Sequence, residues 1–470
     1  MIALYDWQEK ALKEFITRDN YACFAEMGCG KTFVMISAII ERIKKEPDLK
    51  VLIVSVPIVL SQWKSEFNKF FPGYPQNKIL VADAATRKKD LDLNKFQIIV
   101  TNYSAFSDRK KGYLKFFKSW SPGLSCLDES HKIKNYSAIC TKNIIDFCKG
   151  SKYKNILSGT PILNSPLDSF SQYMFLDNGE TLGNNYYVFK AKYFYDLLAG
   201  KGLGFPKLVP IKQKLPELSE LIMSKACRVL LKECKDLPDL IKITIPIIMH
   251  PHVHKIYNEM KEEFLTYVND TACVAQTAVV KATRLMQVSS GHIINEDKEV
   301  VTIPNNNKLE KLSELLDEVL EHHNKVIIWT CFRHDIKIIS ELLEAKKLSY
   351  CLLTGSQSTK EKGLEVDRFQ NGDAVVCLAN ASAAGLGVNL TAASVSIIFS
   401  RNFNLGDYLQ SSARNYRSGS EIHEKIIQYT LAYDKSIDAN ISAVLDSKEV
   451  MSYSMVANKI KMFLTQEKDV

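Results

Sequence analysis

Ala25-Glu26-Met27-Gly28-Cys29-Gly30-Lys31-Thr32 combines two glycines, a lysine and a hydroxyl in the order that phosphate binding needs. Gly28 and Gly30 let the backbone turn its N–H groups inward, where a β-carbon would crowd an anion. Met27 and Cys29 fill the positions around them, as part of the nucleotide-binding set. Lys31 is placed to reach the β- and γ-phosphates, and the Thr32 hydroxyl to ligand Mg2+. A helix beginning just after the loop adds affinity for an anion at its N-terminus. Ala25 occupies the first glycine of the strict phosphate-loop pattern, so a turn with a chance Lys-Thr pair is the competing reading.

Hydrolysis needs carboxylates as well, and Leu124-Ser125-Cys126-Leu127-Asp128-Glu129-Ser130-His131 offers two at the end of a short apolar run. Asp128 would hold Mg2+, and Glu129 would orient and deprotonate the attacking water. Paired acidic residues on a solvated surface are the alternative. His131 stands three residues after Asp128, where it can relay between nucleotide and polar neighbours. Ser158 and Thr160, in Ser158-Gly159-Thr160-Pro161, can sense a phosphate or make an ordinary turn. Ahead of the loop, the Gln8 amide has the donor and acceptor to read an adenine edge. Far downstream, Gln410–Gly419 carries Arg414 and Arg417 at i, i+3 spacing, on one face of an expected helix. Such a pair can clamp a γ-phosphate across a cleft between domains, whereas a solvated basic helix is the bland reading.

These residues need strand ends to hold them. Tyr21–Phe24, Lys50–Val56, Phe96–Val100, Leu124–Leu127 and Asn155–Leu157 are apolar runs with helical patterns between them. That alternation predicts a doubly wound parallel sheet, whose ligands bind at the carboxyl ends of the strands. Trp63, at helical spacing with Leu60, Phe67 and Phe70, is read as core. From residue 162 to about 306 strand-like runs thin out and aromatics cluster. His250-Pro251-His252-Val253-His254 is read there as a strand-to-helix junction, without zinc. A second α/β pattern starts near Lys308, with strands expected at Val326–Trp329, Tyr350–Thr354, Ala374–Ala379 and Val395–Ser400. Gly385, in Ala383–Leu390, permits close approach to a phosphate. A chain of 470 residues exceeds one ordinary core, and 46% hydrophobic with 24% charged residues is globular composition. Eleven cysteines without a Cys-x-x-Cys pair signal neither a disulfide framework nor zinc, and favour a reducing cytoplasmic setting. The longest apolar run, Val51–Leu60, is too short to span a membrane. A net charge of +8 suits a polyanionic partner.

The order of these segments resembles the helicase-like ATPases of superfamily two, and within them the Swi/Snf-type DNA translocases. The resemblance rests on Gln8, the Glu26–Thr32 loop, Pro57 with Gln62-Trp63, Asp128–Asn135 (DESHKIKN), Leu157–Asn164 (LSGTPILN), Gly385–Thr391 and the Gln410/Arg414/Arg417 spacing. Cys227-Arg228 before Leu237-Pro238, and Ser436-Ile437-Asp438, extend it from Leu4 to about Ile441. Ala25, Ser130, Leu163, Phe403, Leu405, Tyr416 and Ser420 depart from the family pattern without removing a group that touches phosphate or metal. The resemblance implies an α/β fold of two RecA-like doubly wound lobes: residues 1–165 as the ATP-binding lobe, 166–305 as helical protrusions and linker, and 306–470 as the second lobe. It further implies an ATP- and Mg2+-dependent, DNA-stimulated ATPase working as a helicase or translocase. Arg414 and Arg417 act with Lys31, Asp128 and Glu129; His131, Ser158, Thr160 and Gln410 serve as coupling residues. By the same resemblance Thr101, Tyr103, Gly385 and Asn389 lie near DNA, which would be bound largely without regard to sequence. A compact prokaryotic or phage-type motor acting on forked or branched replication and recombination intermediates is expected. Duplex translocation that displaces proteins without strand separation is the alternative. An RNA helicase, and a DNA-binding module with a decayed ATPase, are further ones.

Overall fold

The computed structural model describes residues 4–159, 161–162, 165–197, 208–231, 237–270, 275–295, 297, 299–384, 388–417 and 419–445. They fall into two compact units, the first drawn from Met1–Tyr195 and Val209–Lys235 and the second mainly from Asp236–Lys448.

In the first unit, β1 (Asn20–Ala25), β2 (Val51–Ser55), β3 (Ile79–Ala82), β4 (Ile98–Asn102), β5 (Leu124–Asp128), β6 (Tyr153–Leu157) and β7 (Ala226–Val229) form one sheet in the order β3-β4-β2-β5-β6-β1-β7. Every pairing is parallel. All residues of β2, β4 and β6 are buried, the pattern of strands covered on both faces. The cover includes α1 (Asp6–Thr17), α2 (Lys31–Lys45) and α3 (Leu60–Phe70). α2 buries a continuous run from Val34 to Ile40, and α3 turns Leu60, Trp63 and Phe67 inward. The two helices meet where Phe70 packs on Phe33, ring centroids 4.3 Å apart. Arg42, buried in the last turn of α2, donates to the backbone carbonyls of Phe15 and Arg18 and lies over the Tyr153 ring. The C-terminal carbonyls of α1 are thus satisfied by a cation, which also suits the helix dipole. Beyond these lie α4 (Gly112–Phe117), α5 (Ile139–Phe147), α6 (Asp168–Asp177), α7 (Tyr186–Tyr193) and α8 (Leu215–Met223).

The second unit contains β8 (Asp239–Ile247), β9 (Val326–Thr330), β10 (Tyr350–Leu353), β11 (Val376–Asn380), β12 (Val395–Ile398) and β13 (Lys425–Tyr433), in the order β8-β13-β12-β9-β11-β10 and again all parallel. Its helices include α9 (Pro251–Asp270), α10 (Ala275–Ser289), α11 (Asn307–His322), α12 (Arg333–Ala345), α13 (Thr359–Gln370) and α14 (Leu405–Ser412). The buried Lys308 ammonium, at the start of α11, pairs with Asp438 Oδ2 at 2.9 Å.

Both expected parallel sheets are present, but the segment 166–305 divides between the units rather than standing between them. It supplies α6 to α8 and β7 to the first, and β8 to α10 to the second. β7 and β8 escape the apolar-run signal because each is an edge strand. β8 is mostly exposed, alternates polar with apolar residues and tolerates Pro246, which a central strand would not. Gln410–Gly419 is not one helix. α14 ends at Ser412, and Arg414 and Arg417 occupy the turns that follow, so the shared helix face does not form. The expected strand-to-helix junction at His250–His254 is present: β8 ends at Ile247 and α9 begins at Pro251. Among the described residues no helix is long and apolar enough to cross a membrane.

Candidate nucleotide and coupling site

β1 delivers the glycine loop at its carboxyl end, and α2 starts at Lys31 immediately beyond it. Gly28 and Gly30 have φ of 87° and 90°, so both use the left-handed region that glycine enters without strain. A β-carbon at Gly30 would sit 2.7 Å from Gln8 Nε2. Gln8 is buried. Its amide donates to the Cys29 carbonyl at 3.3 Å and accepts from the Tyr5 N–H at 3.0 Å. It therefore steadies the loop and the start of α1, with one N–H and one lone pair left over. Cys29 is buried too, and its N–H donates to the Glu26 carbonyl at 3.3 Å. Lys31 Nζ donates to the carbonyls of Ala25 and Glu26 at 2.6 and 3.1 Å, at the mouth of the loop. The first-turn N–H groups of α2, at Lys31 and Thr32, are those that a helix leaves without intrahelical partners.

Two strands away, β5 ends on Asp128, and Asp128 is held from three sides. Ser55 Oγ, at the end of β2, donates to Oδ2 at 2.7 Å. Trp63 Nε1 of α3 donates to the same oxygen at 3.0 Å. The Tyr103 hydroxyl donates to the Asp128 backbone carbonyl at 2.7 Å. Burial and the Glu129 charge raise the Asp128 pKa, while Ser55, Trp63 and Lys31 oppose the rise. A carboxylate so poised gains from a nearby cation. Glu129 has φ 54° and ψ 52°, a left-handed conformation uncommon for a side-chain-bearing residue. That bend turns the chain sharply between Asp128 and Ser130.

His131 is buried, with Nδ1 3.3 Å from Glu129 Oε2 and 3.2 Å from Ser158 Oγ. The structure thereby brings together three of the predicted residues. Ser130, a departure from the family pattern, adds a second link. Its hydroxyl donates to Gln172 Oε1 at 2.7 Å, and Gln172 Nε2 donates to the Pro161 and Asp168 carbonyls. Arg228 on β7 joins the same neighbourhood, donating to the carbonyls of Phe24 and Gly159 and standing 3.6 Å from Glu26. Met27 packs there as well: a β-carbon at Gly159 would meet its Cγ and N at 3.5 Å. Ser55 and Gln172, and the roles of Trp63 and Arg228, went unseen in the sequence. For Trp63 the only available signal was its place beside the family's Pro57/Gln62 segment.

Two expected DNA contacts are corrected. Thr101 is fully buried, its hydroxyl donating to the Ala82 carbonyl at 2.8 Å and accepting from Arg87. Tyr103 is buried against Asp128. Neither presents a side chain to a macromolecule, because β4 is an inner strand and the turn after it folds back over the sheet end.

In the second unit the turns after α14 are laced to Val388–Ala393. Leu390 N–H donates to the Arg414 carbonyl at 3.0 Å, Arg417 Nη1 to the Val388 carbonyl at 3.4 Å, and Asn415 to the Ala393 carbonyl. Arg414 and Gln410 are buried, and Asn389 is exposed. Thr160 and Gly385 lie outside the described residues. Among the described residues no group of three or more His, Cys, Asp or Glu is arranged to hold a metal. The Mg2+ reading therefore rests on Asp128 with a hydroxyl and phosphate oxygens.

Two family models match the chain in succession. The SNF2-related domain family matches residues 7–322, and the helicase conserved C-terminal domain matches 307–419. An uncharacterized ATP-dependent helicase of Mycoplasma pneumoniae is 26% identical over 455 residues, which is 94% of this chain and 41% of that protein. The mouse chromodomain-helicase-DNA-binding protein 1-like is 25% identical over 418 residues, 86% of this chain and 44% of that one. A solved Sulfolobus solfataricus SWI2/SNF2 ATPase core in complex with dsDNA is 24% identical with a TM-score of 0.44, covering 98% of this chain and 94% of that one. The chain spans about two fifths of the length of the curated relatives it matches.

Proposed function

This chain belongs to the SNF2-related domain family, and from that premise we propose that it is a DNA-dependent ATPase that moves along DNA and remodels forked or branched intermediates. The observation that carries the reading is the clasp of Ser55, Trp63 and Tyr103 on Asp128, which fixes a carboxylate at the same sheet end as the glycine loop. Lys31 would leave its loop carbonyls for the β- and γ-phosphates of ATP. The Thr32 hydroxyl and Asp128 carboxylate are oxygen donors of the kind Mg2+ takes, and the raised Asp128 pKa fits a site that a cation completes. Bound there, Mg2+ would neutralise phosphate charge. Glu129 would orient the attacking water and take its proton, and His131, in reach of both Glu129 and Ser158, would report phosphate occupancy along Ser158–Pro161. Arg414 and Arg417 would supply the remaining positive charge for hydrolysis.

The relative named as a helicase and DNA-binding protein supports DNA as the track, and the net charge of +8 suits it. A turnover panel tests the proposal with duplex DNA, single strands, forks, four-way junctions and duplex RNA, each scored also for strand separation. DNA-stimulated hydrolysis with separation of forks or junctions is the expected result. Stimulation by plain duplex without strand separation would replace branch remodelling by translocation. Stimulation by RNA alone, or by nothing, would overturn the DNA motor.

A further inference from the structure

The burial of Thr101 and Tyr103 leaves open what the first unit offers to a phosphodiester backbone, and the next residues of the chain answer it. An open hollow of about 520 Å³ is lined by Arg109, Lys111, Ile139, Lys142, Asn143 and Asp146. One wall is the loop between Phe106 and α4; the other is one side of α5. The loop is held to shape. The buried Asn143 amide donates to the Phe106 and Asp108 carbonyls at 2.8 and 3.1 Å. Asp108 Oδ1 accepts from the Lys110 N–H at 2.8 Å. Lys111 adopts φ 51°, a left-handed turn that directs the chain into α4.

The charges are unbalanced. Lys111 pairs with Asp146 at 2.8 Å. Arg109, Lys110 and Lys142 are exposed, and no described acidic residue pairs with any of them. Arg109 and Lys142 line the hollow as unpaired cations and Lys110 lies beside them in the loop, a concentration of positive charge that a polyanion complements. A second observation ties the hollow to the nucleotide site. The turn Tyr103–Phe106 carries Asn143's carbonyl partner at one end and, at the other, Tyr103, whose hydroxyl bonds Asp128. Cys140 of α5 adds a bond from its thiol to the Tyr103 carbonyl at 3.1 Å.

We propose that this hollow is a phosphate-backbone site for nucleic acid, and that the Tyr103–Phe106 turn connects it to Asp128. The inference rests on the DNA-motor reading and gives that motor a defined anchor on its first unit. Interactions with phosphates position a duplex without reading its sequence, which agrees with a wall of flexible cations around a fixed loop. The test is duplex binding by fluorescence anisotropy over a range of salt concentrations. It compares the wild type, Arg109→Ala/Lys142→Ala, and the control Lys88→Ala/Lys89→Ala, which removes two exposed cations elsewhere on the same unit. Removing one cation that neutralises a phosphate should flatten the plot of log affinity against log salt by about 0.9. The hollow variant is expected to show close to twice that flattening, and the control to keep the wild-type slope. A thermal melt in parallel confirms that both variants are folded. An unchanged slope in the hollow variant, or an equal flattening in the control, overturns the site. Failure of the wild type itself to bind DNA would instead remove the motor reading on which it stands.

Discussion

Trp63 illustrates what one hydrogen bond does at the residue scale. Its ring is core packing, yet its N–H reaches Asp128 Oδ2 together with Ser55 Oγ. One carboxylate oxygen is thereby occupied by protein donors, and Oδ1 is the oxygen that would meet the proposed Mg2+. Trp63→Phe keeps an aromatic ring and deletes only the donor. A hydrogen bond to a charged group contributes roughly 1.5–3 kcal/mol, so the Mg2+ concentration for half-maximal turnover should rise about tenfold or more. Binding of ATP without metal should stay near normal. A Mg2+ requirement equal to wild type would show that the bond does not position Asp128. Lys31→Ala is the complementary change at the loop: it should abolish DNA-stimulated hydrolysis while the thermal unfolding midpoint stays close to wild type. Full stimulated turnover in that variant would remove the loop from the mechanism.

At the scale of elements, α12 carries a charge problem of its own. Asp335 in its first turn is fully buried and accepts from Ser400 through Oδ2, while Oδ1 has no hydrogen-bond partner among the described residues. Burial pushes its pKa from 3.8 to about 7. The folded chain therefore retains a proton that the unfolded chain releases. This contribution to stability is fully present below about pH 3.8 and is lost as pH rises through about 7. Asp335→Asn should remove that dependence, so that the stability difference between variant and wild type grows in the variant's favour from pH 5 to pH 8, by on the order of a few kcal/mol. Chemical denaturation at several pH values measures it, and parallel profiles for the two proteins would refute the buried acid. The strands themselves were legible where both faces are apolar, as in β2, β4, β9 and β12, although β4 runs two residues later than its apolar run and β12 ends two residues sooner. The pattern was not legible in β7, β8 or the end of α14. An edge strand alternates or mixes its residues according to what covers it, and the chain beyond Ser412 is held by bonds to Val388–Ala393 rather than by helix propensity.

At the scale of the molecule, two parallel sheets each carry part of the proposed chemistry: Lys31, Asp128 and Glu129 in the first unit, Arg414 and Arg417 in the second. Hydrolysis that requires both should respond in a particular way when the second set is broken. Arg417→Ala is expected to leave ATP binding near normal and to lower turnover by about 10³- to 10⁵-fold, the range of a transition-state arginine. Nucleotide titration beside a turnover assay separates the two, and an equal loss of binding and turnover would refute the role.

The sequence by itself determined the glycine loop, the Asp128-Glu129 pair and the strand ends that carry them. These are short-range matters: a glycine loop needs only its own backbone, and a doubly buried strand shows its apolar run within about five residues. Only the tertiary structure decided what holds those residues. Ser55 and Trp63 reach Asp128 across 73 and 65 positions of chain, and Arg228 reaches Phe24 across 204. Such partners follow from the order in which parallel strands are laid side by side, and no local pattern encodes it. The same ordering buried Thr101 within the sheet and Tyr103 in the turn beyond it, and left Arg109, Lys110 and Lys142 at the surface.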